Sequence, residues 1–442
     1  MLSVQQAENI IFDHKIDLAV PTIGLWHGVT LIQSLGRVLA EDLVADRDFP
    51  PFDRVTMDGI AIRFEDFKNG QTPFKIEGIQ AAGMPQLTLP NQPLPITHHP
   101  SPISNYPSPI THHPSPISNC PLPIAHYPCF EVMTGAMLPI GCDTVIRYED
   151  LKIENGVAEI LTQTIDYQQN IHKKGVDRKA QDALVLRGCL ISAAEIATAA
   201  TVGKTEVQVV RLPKTAIIST GDELVEVSET PLAHQIRRSN VFAIQAMLST
   251  LKIEPQLFHF NDDETAITEG LNTILNEYEL VILSGAVSEG KFDFVPKVLD
   301  NLGVEKLFHK VAQRPGKPFW FGIKQATENH AQTMVFALPG NPVSTFLCAY
   351  RYVLPYVKLC LGLNKMPQEY AVLSENILFK PDLTYFLQVK LINTEGVLWA
   401  KPIAGGGSGD LANLNNVDGF LELPQGRDLF EKGETFPVIT YR

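Results

Sequence analysis

Two stretches in the middle of the chain carry the residues best suited to chemistry. Residues 214–224 (KTAIISTGDEL) and 280–295 (LVILSGAVSEGKFDFV) each run from a short apolar β segment into Gly and Ser, and then into carboxylates. In a parallel α/β sheet this places polar groups at the carboxyl ends of neighbouring strands, where such sheets bind ligands. In the first stretch, Thr220 and Gly221 form a tight turn, and Glu223 can face a metal that prefers hard oxygen donors. Asp262 follows a strand over 256–260; capping of the next helix alone explains most of this acidic run, because acids are favoured at helix N-termini, yet Asp262 could share a metal with Glu223. In the second stretch, Ser284, Gly285, Ser288 and Gly290 can aim N–H and O–H groups at phosphate, and Asp293 adds a third carboxylate. Further on, Lys310, Arg314 and Lys317 flank Pro315-Gly316, a cationic turn suited to a tetrahedral oxyanion or phosphate. Pro339, Gly340, Asn341 and Ser344 of LPGNPVS form a helix entry ready for an anion. The expected guest of such a crevice is a divalent metal with a phosphate-bearing anion. Asp58 (DRVTMDG), Thr134 (MTGA) and Asp177 lie outside this region, and each alone reads as a turn.

The elements that must position these residues follow from periodicity. From residue 214, apolar runs over 216–219, 256–260, 280–283, 307–311 and 334–338 alternate with helical stretches over 240–251, 264–278 and 294–302. That alternation predicts a doubly wound sheet with helices on both faces. After Gly362 the pattern changes to short strands with turns, a small separate β domain. Ser3 caps an opening helix, and residues 30–39 read as a second helical stretch broken by Gly36.

The chain has 442 residues, enough for two to four domains, and 45% of them are hydrophobic, enough to bury a core. A formal charge of -13 argues against a nucleic-acid surface and requires a local basic pocket for any anionic ligand. The six cysteines form no CxxC pair and read as free thiols of a reducing cytoplasm. The most apolar long segment, 343–363, contains Arg351, Pro355 and Lys358, and reads as a buried helix rather than a membrane span. Residues 93–127 are five heptads of the type PSPITHH, in which proline at the first and third positions excludes helix and central strand. They read as an extended or disordered insertion on a surface loop, and their paired histidines are a weaker candidate for metal binding.

FDRVTMDGIAIR, VMTGAMLPIGCDTVI, STGDEL, QIRRSN, SGAVSEGKFDFV, RPGKPFWFG and LPGNPVS occur in the order found in the molybdopterin molybdenumtransferases, and the chain resembles this MoeA/gephyrin-E family everywhere except 93–127. The resemblance implies a multidomain α/β plus β fold. Residues 1–12 with 213–363 would form a doubly wound α/β molybdopterin-binding domain. Residues 13–50 with 175–212 would form an elongated helical/β linker region, 51–174 a small β subdomain carrying the heptad insertion, and 364–442 a C-terminal β-barrel-like domain.

The implied activity is insertion of molybdate into adenylylated molybdopterin with Mg²⁺-dependent release of AMP. The implied assembly is a cytoplasmic homodimer sharing its site between subunits, with neither nucleic acid nor membrane as partner. By motif, Glu223, Asp262 and Asp293 would hold the metal and, with Lys310, act in catalysis. Thr220, Gly221, Ser284, Gly285, Ser288, Gly290, Arg314, Gly316, Lys317, Pro339, Gly340, Asn341 and Ser344 would bind substrate, joined by Ser408 of GGGSGD. Asp58, Thr134 and Asp177 would face the partner subunit's site. The chain departs from the family pattern at Arg54, Val55 and Thr56, at Ala286 in the Gly/Ser turn, at His172 and Val176, and at Arg314, where lysine is common. Two alternatives have a different chemistry: a non-catalytic gephyrin-like scaffold, and an adenylyltransferase or nucleotide hydrolase built on the same α/β unit.

Overall fold

The computed structural model describes residues 1–16, 18, 27–70, 73–90, 126–285, 294–328, 331–363 and 367–442. The chain forms two compact units, Val44–Leu184 and the remainder, Met1–Leu43 with Val185–Arg442.

In the larger unit, the alternating apolar runs form a six-stranded sheet of β1 (Thr215–Thr220), β2 (Gln256–Phe260), β3 (Leu280–Ser284), β4 (Glu305–His309), β5 (Trp320–Lys324) and β6 (Thr333–Leu338), in the order β2-β1-β3-β6-β5-β4. The first four strands of that order run parallel, and β5 is antiparallel to both neighbours. The middles of the central strands are apolar on both faces, which are both covered, and polar residues stand at their ends. Ile217, Ile282 and Phe336 pack on one face with α1 (Val4–Asp13) and α2 (Asn240–Ser249). Ile218, Leu283 and Val335 pack on the other with α3 (Glu264–Glu277) and α4 (Val295–Asn301). Ser3 closes a capping box with Gln6 at the start of α1. After β6 come α5 (Pro342–Cys348), a π-helical turn Ala349–Val353 and α6 (Leu354–Cys360).

The C-terminal segment forms β7 (Tyr370–Leu373), β8 (Thr384–Thr394), β9 (Val397–Pro402), β10 (Gly419–Leu423) and β11 (Thr435–Thr440). They pair in the ring β8-β9-β7-β11-β10 and back to β8, a closed barrel with no free edge. Gln313–Arg314 add to this sheet, parallel to the start of β8. The smaller unit holds a six-stranded sheet in the order Thr144–Arg147, Gly59–Ile62, Tyr127–Val132, Phe74–Gln80, Val157–Ile160, Leu151–Glu154.

Three elements differ from the sequence reading. Residues 30–39 are not helical: Gly36 donates to Ile191 O and Leu39 to Cys189 O, so pairing with a distant segment replaces the local ladder. The helix Ala193–Thr201 is present although its Ala/Thr composition gave a weak periodic signal. Strand β5 occupies the FWFG stretch, which reads as the tail of a basic turn but is completed by antiparallel pairing with β6. Residues 93–125 of the heptad insertion lie outside the described residues.

Candidate functional site

The turn after β4 is built on a buried amide. Gln313 is fully buried, donates to Gly316 O at 3.1 Å and to Cys348 Sγ at 3.4 Å, and accepts from the Tyr352 hydroxyl. Gly316 has φ +90, and a Cβ there would stand 2.7 Å from both Cys348 Sγ and Gln313 Nε2, so only glycine allows the turn to seat this closely. The peptide Arg314–Pro315 is cis. Arg314 and Lys317 therefore project as exposed cations from a rigid base, and neither makes an ion pair among the described residues.

They line a cleft of about 770 Å³ between the α/β sheet and the barrel. Pro339, Asn341 and Ser344 of the turn after β6 form part of its wall, with Gly316 and Ser408. The barrel loop is tied down, because Val343 donates its backbone N–H to Ser408 O at 3.0 Å and Gly406 donates to Asp410 Oδ2 at 2.8 Å. The opposite wall is apolar and aromatic: Phe379 and Tyr385 stack with centroids 4.2 Å apart. Burial pushes the Tyr385 phenol up, and nearby Arg314 opposes that shift. One carboxylate, Glu375, also lines the cleft. A planar, anionic ligand matches this combination of cations, hydroxyls and aromatic surface.

Beside this turn, at the carboxyl edge of the sheet, Thr220, Gly285 and Gly340 come together. A Cβ on Gly340 would lie 3.5 Å from Gly285 Cα, and one on Gly285 would lie 3.7 Å from Thr220 Oγ1. Thr220 is 6% exposed and its hydroxyl has no hydrogen-bond partner among the described residues, an orphaned polar atom that points to a ligand. On the adjoining strand ends, Glu223 folds back over Gly221, with Oε2 2.5 Å from where a Gly221 Cβ would stand. Asp262 donates its backbone N–H to Asp222 Oδ1 at 3.1 Å. Strands β1 and β2 are direct neighbours, in register Thr220 to Phe260, so Glu223 and Asp262 follow adjoining ends. Among the described residues no three His, Cys, Asp or Glu side chains gather as a metal cluster. Asp293, the third expected ligand, lies outside the described residues, as do Ser288 and Gly290. The hard oxygen donors of Glu223 and Asp262, near the orphaned Thr220 hydroxyl, are chemically suited to Mg²⁺. Lys310 has φ +76 and donates its N–H to Phe319 O, but it does not line the cleft.

In the smaller unit, Asp58 Oδ1 accepts from Thr134 N at 2.6 Å and Thr134 Oγ1 at 2.7 Å, and these bonds hold its carboxyl below the ordinary range. A Cβ on Gly59 would meet Ile146 O at 1.8 Å, which explains the glycine of the MDG triplet. Asp177 pairs with His172 Nε2 at 2.9 Å. Gln313 is the supporting residue that motif reading missed. Its only local signal is a polar side chain between Val311-Ala312 and the basic turn.

An α/β domain of doubly wound type is followed here by a closed barrel whose glycine loop is bonded to the first turn of α5, and the class is that of a multidomain α/β plus β protein. Residues 2–203 match the family model for the MoeA N-terminal region (domains I and II), 216–359 that for a probable molybdopterin-binding domain, and 370–441 that for the MoeA C-terminal region (domain IV). The chain is 38% identical to a molybdopterin molybdenumtransferase of Synechocystis sp., over all of both chains. It is 29% identical to that of Bacillus subtilis, covering 94% of this chain and 89% of the relative. A crystal structure of the molybdopterin biosynthesis MoeA protein from Pyrococcus horikoshii superposes with a TM-score of 0.75 at 28% identity, covering 100% of this chain and 99% of that one. The chain belongs to the MoeA family: it is an enzyme, a transferase of molybdenum cofactor biosynthesis.

Proposed function

We propose that this enzyme inserts molybdate into adenylylated molybdopterin and releases AMP in a Mg²⁺-dependent reaction. The observation that carries the reading is that Arg314 and Lys317, which make no ion pair among the described residues, line one cleft with Ser344 and Ser408 in a chain of formal charge -13. A dianionic oxyanion is the guest that such a cleft attracts most strongly. The stacked Phe379 and Tyr385 offer a flat surface to a heterocycle in the same cleft. Thr220, Gly285 and Gly340 supply close backbone approach and a free hydroxyl for phosphate oxygens. Glu223 and Asp262, with Asp293, would hold Mg²⁺, which supplies charge neutralisation at the phosphate. Arg314 and Lys317 bind and orient molybdate, and the barrel wall excludes water from its apolar side.

The finer reading extends to four domains with the boundaries given above, to a cytoplasmic location supported by the five described free cysteines, and to a homodimer in which Asp58, Thr134 and Asp177 serve the partner subunit's site. Among the described residues no helix is long and apolar enough to cross a membrane. The test is AMP release by the purified chain supplied with adenylylated molybdopterin, Mg²⁺ and molybdate. Release that depends on molybdate supports the reading, whereas release of AMP independent of molybdate, or none at all, overturns it. Light scattering at two chain masses is the expected result for the assembly.

A further inference from the structure

Asn240 opens α2, and its side chain reaches three separate parts of the sheet's carboxyl edge. The two N–H groups of its Nδ2 are shared among Gly340 O at 2.8 Å, Ser284 Oγ at 2.9 Å and Thr345 Oγ1 at 3.2 Å. Gly340 O is a carbonyl and can only accept, so the amide nitrogen rather than the amide oxygen faces this cluster. The Thr345 hydroxyl already donates to Pro339 O, so it too accepts from Asn240. The three acceptors belong to the end of β3, the turn after β6 and the first turns of α5, segments brought together only by the fold. Ser284 and Thr345 are buried, where an unmet polar group costs about 1–3 kcal/mol.

The tethered loops are those that flank the orphaned Thr220 hydroxyl, since Gly285 follows Ser284 directly and Gly340 stands against Gly285. We propose that Asn240 is a positioning residue of this site: its amide holds the strand end at Ser284–Gly285 against the turn at 339–341, and so keeps Thr220 Oγ1 and the neighbouring described backbone aimed at a phosphate of the substrate. This rests on the reading of the site as a binder of a phosphate-bearing pterin. Asn240 makes no contact with Arg314 or Lys317, so it bears on the phosphate-bearing substrate and not on molybdate.

The test is Asn240→Asp, an isosteric change that removes both donors and sets a carboxylate against Gly340 O. The expected result is a fall of about tenfold or more in kcat/KM for adenylylated molybdopterin, with KM for molybdate within about twofold of the parent. A kcat/KM within about twofold of the parent would overturn the proposal, as would an equal loss for both substrates. Should Asn240→Asp not fold, Asn240→Ser, which keeps one donor, carries the same test. Hydrogen exchange on the unliganded protein gives a readout free of turnover. Amides of 338–345 should exchange about tenfold faster in the variant while those of 215–220 do not change, and unchanged exchange at 338–345 overturns the proposal. If the parent chain shows no molybdate-dependent AMP release, the proposed reaction fails, and the exchange experiment still decides the role of Asn240.

Discussion

The backbone N–H of Val343 donates to the carbonyl of Ser408 at 3.0 Å, which joins the first turn of a helix in the α/β domain to the glycine loop of the barrel. Ser344, next to Val343, and Ser408 both line the cleft, so this bond lies in its wall. The cleft is thus lined jointly by the α/β sheet side and the barrel.

Arg314→Ala and Lys317→Ala should each raise KM for molybdate by about tenfold or more, because each removes an unpaired cation from the cleft. Thermal midpoints should stay within about 2 °C of the parent, since neither side chain supports the fold. Steady-state kinetics with molybdate as the varied substrate, alongside calorimetry, checks both halves.

Gly316→Ala should act in the opposite manner, through the fold. The added methyl would meet Cys348 Sγ and Gln313 Nε2 at 2.7 Å, in a backbone conformation of φ +90 that disfavours any side chain. A loss of about 2–4 kcal/mol in urea unfolding is expected. Gln313→Leu should also destabilise, by leaving Gly316 O and the Tyr352 hydroxyl unmet.

Asp58 gives a pH prediction. Its two bonds from Thr134 lower its carboxyl below the ordinary 3.8, so the carboxylate form persists as pH falls through the usual range. The sign follows from linkage: the stabilising contribution is present above the unfolded-state value and is lost as pH drops through the lower folded-state value. Thr134→Val should raise the Asp58 value in an NMR titration, and an unchanged titration would show that Thr134 is not the cause.

Glu223→Gln and Asp262→Asn should abolish most Mg²⁺-dependent AMP release, by about a hundredfold or more, with little change in urea midpoint. Both side chains sit at loop positions after strands, outside the packed cores. Mg²⁺ binding by isothermal calorimetry should weaken in parallel. Normal turnover in both variants would remove the two carboxylates from the metal site.

The amino-acid sequence alone determined the strand-turn-helix alternation, the acidic and basic turns and the glycine positions, because periodicity and turn chemistry are local properties. Gly316 was legible as a turn residue, whereas Gly59 opens a strand, and the reasons they must be glycine, Cys348 Sγ in one case and Ile146 O in the other, lie far along the chain. The strand β5 and the non-helical course of 30–39 were not legible, because each depends on hydrogen bonds to a partner segment that no local window contains. The same holds for Gln313 and Asn240. Apart from Gly316 O, three residues from Gln313, their acceptors are brought within 3.5 Å by sheet formation and helix packing, and the tertiary structure alone decided those contacts.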